Sequence, residues 1–136
     1  MAFVLDASMT MTWCFDDEST PASEAILDRL RDDEAHVPPV WLLEVANVLV
    51  VAERRRRIAP SEAVRFTQTL RALPIYIDDG HKMEAIAPLL EVARHYGLSA
   101  YDASYLELAM TTGFPLATGD ARLKSAAISA GVLVIN

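Results

Sequence analysis

Four carboxylates stand where the local pattern of residues calls for something apolar or small: Asp6, Glu44, Asp102 and Asp120. Asp6 ends the apolar run from Ala2 to Leu5, and Asp120 follows Pro115-Leu116-Ala117 through Thr118-Gly119. Glu44 lies within Trp41-Leu42-Leu43-Glu44-Val45-Ala46, with no cation one helical turn away on either side. Asp102 falls in the first turn after Ser99. An unpaired carboxylate withdrawn from water costs several kcal/mol, and grouped acids raise one another's pKa unless a cation sits among them. A hard, oxygen-seeking cation, Mg²⁺ or Mn²⁺ by preference, would relieve both penalties. Such an ion with bound water, and no nucleophilic side chain beside it, points to hydrolysis of a phosphate ester. Each acid also has a plainer reading. Asp6 and Asp120 can cap helices and Asp102 can favour a helix dipole, whereas Glu44, inside a helix, has no cap to make.

The elements that must position these acids alternate between short apolar strands and helical stretches. Residues 2–5 are apolar without alternation, as in a strand covered on both faces, and residues 7–15 can continue as a helix. Ser19 or Thr20 caps the next helix, with Pro21 in its first turn and Ala25, Ile26 and Leu30 on its buried side. Residues 35–37 are a short strand, and residues 40–54 a mostly apolar helix ending in four arginines, Arg54 to Arg57. A helix over 60–72, a strand over 73–77 and a helix over 80–96 follow, the last capped by Asp78 or Asp79 and stopped by Gly97. Ser99 caps a helix over 100–112, stopped by Gly113. Residues 115–117 are a strand, 119–130 a helix and 132–135 a final strand. This alternation predicts an α/β fold with a mostly parallel sheet, some helices packing as hairpins away from it. In such sheets ligands gather at the carboxyl edge of the strands, where Asp6 falls.

The 136 residues fit a single domain, residues 1–136, and more than half are hydrophobic. A net charge of −7 gives no general basic footprint for nucleic acid, but suits carboxylates gathered around a cation. Cys14 is the one cysteine, so no internal disulfide forms. No basic residue precedes the first apolar run, and the longest apolar stretch, residues 37–52, is interrupted by Glu44 and Asn47. It falls short of the roughly 20 residues a bilayer span needs, so no membrane partner and a cytoplasmic location are the expectation. His36, His81 and His95 lack metal-ligand spacing, and Trp13 and Trp41 read as core or subunit contacts.

Taken together, Val4-Leu5-Asp6-Ala7-Ser8, Glu44 with Asn47, Tyr101-Asp102-Ala103 with Tyr105-Leu106, and Thr118-Gly119-Asp120 resemble the PIN-domain nucleases. Within them the pattern is similar to the VapC toxins of bacterial toxin–antitoxin pairs, over nearly the whole chain. The resemblance implies a three-layer α/β fold with a parallel sheet of four to five strands in order 3-2-1-4-5. It implies a Mg²⁺- or Mn²⁺-dependent endoribonuclease acting on an RNA substrate and inhibited by a cognate antitoxin. Asp6, Glu44, Asp102 and Asp120 would be its catalytic, metal-binding set, with Ser8 and Thr118 as supporting hydroxyls and Asn47 orienting Glu44. The small pair Gly119 and Ala121 departs from relatives that carry bulkier or basic residues there.

Arg122 and Lys124 lie beside Asp120 and are candidate phosphate contacts, although two positions apart on a helix they do not face one way. The run Arg54 to Arg57 reads as a solvated helix end, with RNA backbone or a partner as the other option. Residues 40–51 are apolar almost all round, which suggests a homodimer or a groove filled by an antitoxin helix. Two other functions compete: a catalytically silent binding or scaffold module of the same fold, and a different Mg²⁺-dependent phosphohydrolase. A haloacid-dehalogenase-type phosphatase needs a second Asp where this chain has Ser8.

Overall fold

A computed structural model describes residues 1–80 and 82–135; His81 lies outside the described residues. Five parallel strands form one sheet in the order β3-β2-β1-β4-β5. The strands are β1 (Ala2–Leu5), β2 (Glu34–Val37), β3 (Ile75–Ile77), β4 (Leu116–Ala117) and β5 (Val134–Ile135). Seven α-helices among the described residues connect them: α1 (Ala7–Met11), α2 (Pro21–Arg29), α3 (Val40–Arg54), α4 (Pro60–Ala72), α5 (Ile86–Tyr96), α6 (Ala100–Thr112) and α7 (Ala121–Ser129). The expected α/β class and strand order are borne out. None of these helices is long and apolar enough to cross a membrane.

Phe3, Val4 and Leu5 are fully buried, as a run without alternation requires at the centre of a sheet covered on both faces. Helix α6 packs on β1 and β4, and it is apolar on most sides because α5 and α7 cover it as well. Its partner α5 forms a hairpin with it, turned by Gly97 in the left-handed conformation at φ +64°, and through α6 this hairpin packs on the sheet instead of away from it.

Several element ends differ from the sequence reading, each for a local reason. Helix α1 stops at Met11 instead of running to residue 15, and the chain turns so that Phe15 enters the core. Ahead of α5, residues Met83–Ala85 form a 3₁₀ turn and the α-helix begins only at Ile86. Pro88 decides this: it lacks an N–H, which costs little in a first turn and much in a helix interior. Asp78 therefore caps no helix; its Oδ1 accepts from the Gly80 N–H at 3.3 Å. Pro74 delays β3 to Ile75. On α2, Ile26 and Leu30 are buried as expected while Ala25 faces solvent. Thr20 is its cap, accepting from the Ser23 N–H.

Candidate active site

Sheet register brings the first two site residues together. Leu5 pairs with Ala117 across β1 and β4, so Asp6 and Thr118 leave the sheet side by side. The Thr118 hydroxyl donates to Asp6 Oδ2, linking residues at opposite ends of the sequence. This is also where the strand order reverses direction, between β1 and β4, the crevice in which open α/β sheets collect ligands.

Asp6 is 3% exposed. It does cap α1, Oδ1 accepting from the Met9 N–H at 2.8 Å, and Ser8 Oγ donates to both of its carboxylate oxygens at 2.9 Å. Ser8 Oγ in turn accepts from the Gly119 N–H at 3.2 Å, and Thr118 Oγ1 from the Asp120 N–H at 3.0 Å. The two supporting hydroxyls thus tie the end of β1 to the start of α7. Burial pushes Asp6 up to about 6, outweighing the hydrogen bonds that favour its ionised form, and the charge on Asp102 adds to the rise.

Glu44 reaches the site from α3. That helix is pinned one turn earlier, where Trp41 Nε1 donates to Thr10 Oγ1 at 3.0 Å and Thr10 Oγ1 donates to the Asp6 carbonyl at 2.8 Å. Half-buried Glu44 accepts from the Tyr105 hydroxyl at 2.6 Å. Burial raises its pKa, the Tyr105 bond opposes the rise and Asp102 reinforces it. Tyr105 is the residue that reading the sequence for acids missed. Its signal was its place one turn after Asp102, on the same face of α6.

Asp102 is half-buried in the first turn of α6, behind the Ser99 cap. Burial raises its pKa and Asp120 raises it further, while Arg122 and the Ser99 hydrogen bond act the other way. Its field also reaches Asp6 and Glu44, which makes it the electrostatic hub of the group. Asp120 caps α7, Oδ1 accepting from the Leu123 N–H at 2.9 Å. Asp6 and Asp120 both make the caps that the plainer reading gave them, and Thr118 Oγ1 links the Asp6 carboxylate to the Asp120 N–H.

Among the described residues, no lysine, arginine or histidine forms an ion pair with any of the four acids. The donor set is all oxygen, which suits a hard divalent cation. The side chains do not close around one, because among the described residues no three of His, Cys, Asp or Glu are placed to hold a metal ion. Asn47 is exposed on α3 and makes no hydrogen bond to Glu44. Arg122 is exposed and Lys124 half-buried on α7. Arg57 is drawn away from this region: it bridges Asp17 and Glu18 at 2.8 Å each and lies 3.8 Å over the Phe15 ring.

The family model of the PIN domain matches residues 3–129. Ribonuclease VapC12 of Mycobacterium tuberculosis is 30% identical over 124 residues, covering 88% of this chain and 88% of its own. Among solved structures, PAE2754 from Pyrobaculum aerophilum is similar with a TM-score of 0.70 at 21% identity, over 93% of this chain and 84% of that one. VapBC2 from Rickettsia felis, bound to a DNA fragment from its promoter, gives a TM-score of 0.71 at 12% identity, over 100% of this chain and 98% of that one. FitAcB from Neisseria gonorrhoeae gives 0.61 at 19% identity, over 100% and 97%. With its strand order, its acids at the β1–β4 reversal and this relative covering most of both chains, the protein belongs to the PIN domain family and, within it, to the VapC group.

Proposed function

We propose that this chain is the toxin of a type II toxin–antitoxin pair, an endoribonuclease that hydrolyses RNA phosphodiesters with Mg²⁺ or Mn²⁺. One observation carries the reading: a nearly inaccessible carboxylate, Asp6, stands at the sheet's reversal point with its pKa pushed up to about 6, the charge of Asp102 reaching it and, among the described residues, no basic residue paired to it. The relative from Mycobacterium tuberculosis, named a ribonuclease, supports it.

Asp6, Glu44, Asp102 and Asp120 would hold the divalent cation, which when bound supplies a water of lowered pKa and neutralises charge on the phosphate. The chain's own residues do the positioning. Ser8 and Thr118 fix the plane of the Asp6 carboxylate, and Tyr105 holds one oxygen of Glu44. Arg122, at the start of α7, acts electrostatically on Asp102 and would draw the RNA backbone towards the acids. In-line attack at phosphorus leaves a 5′-phosphate and a 3′-hydroxyl.

The antitoxin partner would occupy the apolar groove of about 320 Å³ between α3, α4 and β3, lined by Trp41, Leu42, Val45, Leu70 and Ile77. A neighbour in fold is named as a VapBC complex, which supports such a partner. Leu43, 72% exposed on α3, supports a homodimer that would cover it.

A second reading, a metal-free binding module, is favoured by the full engagement of Asp6 with Ser8, Met9 and Thr118. RNA cleavage separates the two. Wild type with Mn²⁺ cuts single-stranded RNA, and Asp6→Ala and Asp102→Ala keep the wild-type circular dichroism spectrum but do not cut. Cleavage retained by both variants would remove these acids from the mechanism.

A further inference from the structure

A cleft of about 650 Å³ lies between the end of α5 and the exposed side of α7. It is lined by His95, Tyr96, Arg122, Ser125 and Ser129. Two chain connections place it against the acid group. Arg122 is two residues beyond Asp120 on the helix that Asp120 caps, and Tyr96 is separated from the first turn of α6, which carries Asp102, only by the Gly97–Ser99 link. A second cleft of about 560 Å³ shares His95 and Tyr96 and extends the path to Glu91 and Arg94 on α5 and Met110 on α6.

The lining combines what a nucleotide needs. His95 and Tyr96 form an edge-on ring pair with centroids 4.6 Å apart, and bases stack on such side chains irrespective of their identity. Arg94 and Arg122 form no ion pair among the described residues, although the chain carries a net charge of −7. The serines of α7 supply hydroxyls for phosphate or ribose. The volume lies within the roughly 300–1,000 Å³ of sites that take small organic ligands. A second copy of the chain fits less well, because the buried centre of a homodimer interface is largely apolar and poor in serine, whereas this lining carries Ser125 and Ser129 and is more polar than apolar.

We propose that this cleft binds a nucleotide of single-stranded RNA adjoining the phosphate at the acids, its base against His95 and Tyr96 and its phosphate on Arg122. The inference rests on the nuclease reading for its direction, but its test does not need cleavage. Fluorescence anisotropy of a short fluorescein-labelled single-stranded RNA is measured with full-length protein in EDTA, so that binding is read without turnover.

Arg122→Ala weakens binding about fivefold and lowers the salt slope by about one. His95→Ala, a change at an exposed ring, weakens binding roughly fivefold or more without changing that slope. Arg31→Ala, at the amino edge of the sheet, leaves both unchanged. Wild-type affinity and slope in both cleft variants overturn the proposal, as does wild-type protein that binds no RNA. So does a fall in sedimentation coefficient in His95→Ala, which would mean that a second copy fills the cleft. Loss of cleavage in Asp6→Ala with unaltered RNA binding in the cleft variants would leave the nuclease reading standing and this site refuted. RNA binding that depends on Arg122 in a protein that never cuts would do the reverse.

Discussion

The Tyr105 hydroxyl donates to Glu44 Oε1 at 2.6 Å, joining α6 to α3 across 61 positions of sequence. Tyr105 is 1% exposed, so its ring is core while its hydroxyl is part of the site. The bond fixes the orientation of an acid that a helix interior would otherwise leave to sample solvent. A hydrogen bond to a charged group contributes about 1.5–3 kcal/mol, less where the acceptor is half-buried.

Tyr105→Phe keeps the ring and removes only this donor. Its unfolding free energy in urea is expected to fall by about 1–2 kcal/mol. RNA cleavage should drop on the order of tenfold through a weaker apparent affinity for Mn²⁺. Unchanged stability and unchanged Mn²⁺ dependence would show that Glu44 is held by something else.

Asp6 makes the fold less stable when it is ionised. Burial raises its folded-state pKa from 3.8 to about 6, so the folded protein takes up the proton more readily than the unfolded chain. The contribution of Asp6 to stability is therefore greatest at low pH and declines as pH rises from about 4 through 6, by about 3 kcal/mol in total. Asp6→Asn removes the charge at nearly constant shape. In EDTA at about pH 8 it should melt several degrees above wild type. The gap should narrow towards about pH 4. A variant melting below wild type at the higher pH would mean that the ionised form is better satisfied than its burial implies.

Protons and a divalent cation compete for the same oxygens. Asp6, Glu44 and Asp102 all have raised pKa values, chiefly through burial. Cleavage at fixed, subsaturating Mn²⁺ should therefore fall as pH drops through about 6, and excess Mn²⁺ should move that fall to lower pH. A pH–rate profile with no inflection between about pH 5 and 8 would contradict this assignment.

The groove between α3, α4 and β3 is the expected seat of the antitoxin. Leu42, 49% exposed, lines it, and Leu42→Arg places a charge where an apolar helix would lie. Pull-down with the product of an adjacent small reading frame should lose the variant, while its RNA cleavage stays at wild-type level. Equal capture of variant and wild type would move the partner elsewhere.

Much of this architecture was legible because local rules and tertiary needs agree. Ser99, Gly97 and Gly113 mark the ends of α5 and α6 where capping chemistry puts them, and the unalternating run before Asp6 is the central strand. What was hidden depends on partners distant in sequence. Phe15 leaves the first helix early because the core and the Arg57 guanidinium receive it, and no periodicity encodes that. The acids could be singled out by being unpaired, whereas Tyr105, one turn after Asp102 on a mostly apolar helix, gave no sign that its hydroxyl would reach Glu44 on another helix. Asp120 caps α7, as the plainer reading of the sequence had it, and its charge also reaches Asp102, which no local pattern encodes.

The central claim is that separate elements bring their acids to one divalent ion, and calorimetric titration of the whole protein with Mn²⁺ tests it without RNA. Wild type should give saturable uptake that Asp6→Asn and Asp102→Asn each weaken severely, with circular dichroism unchanged. No uptake by wild type, or the same isotherm in all three proteins, would contradict it.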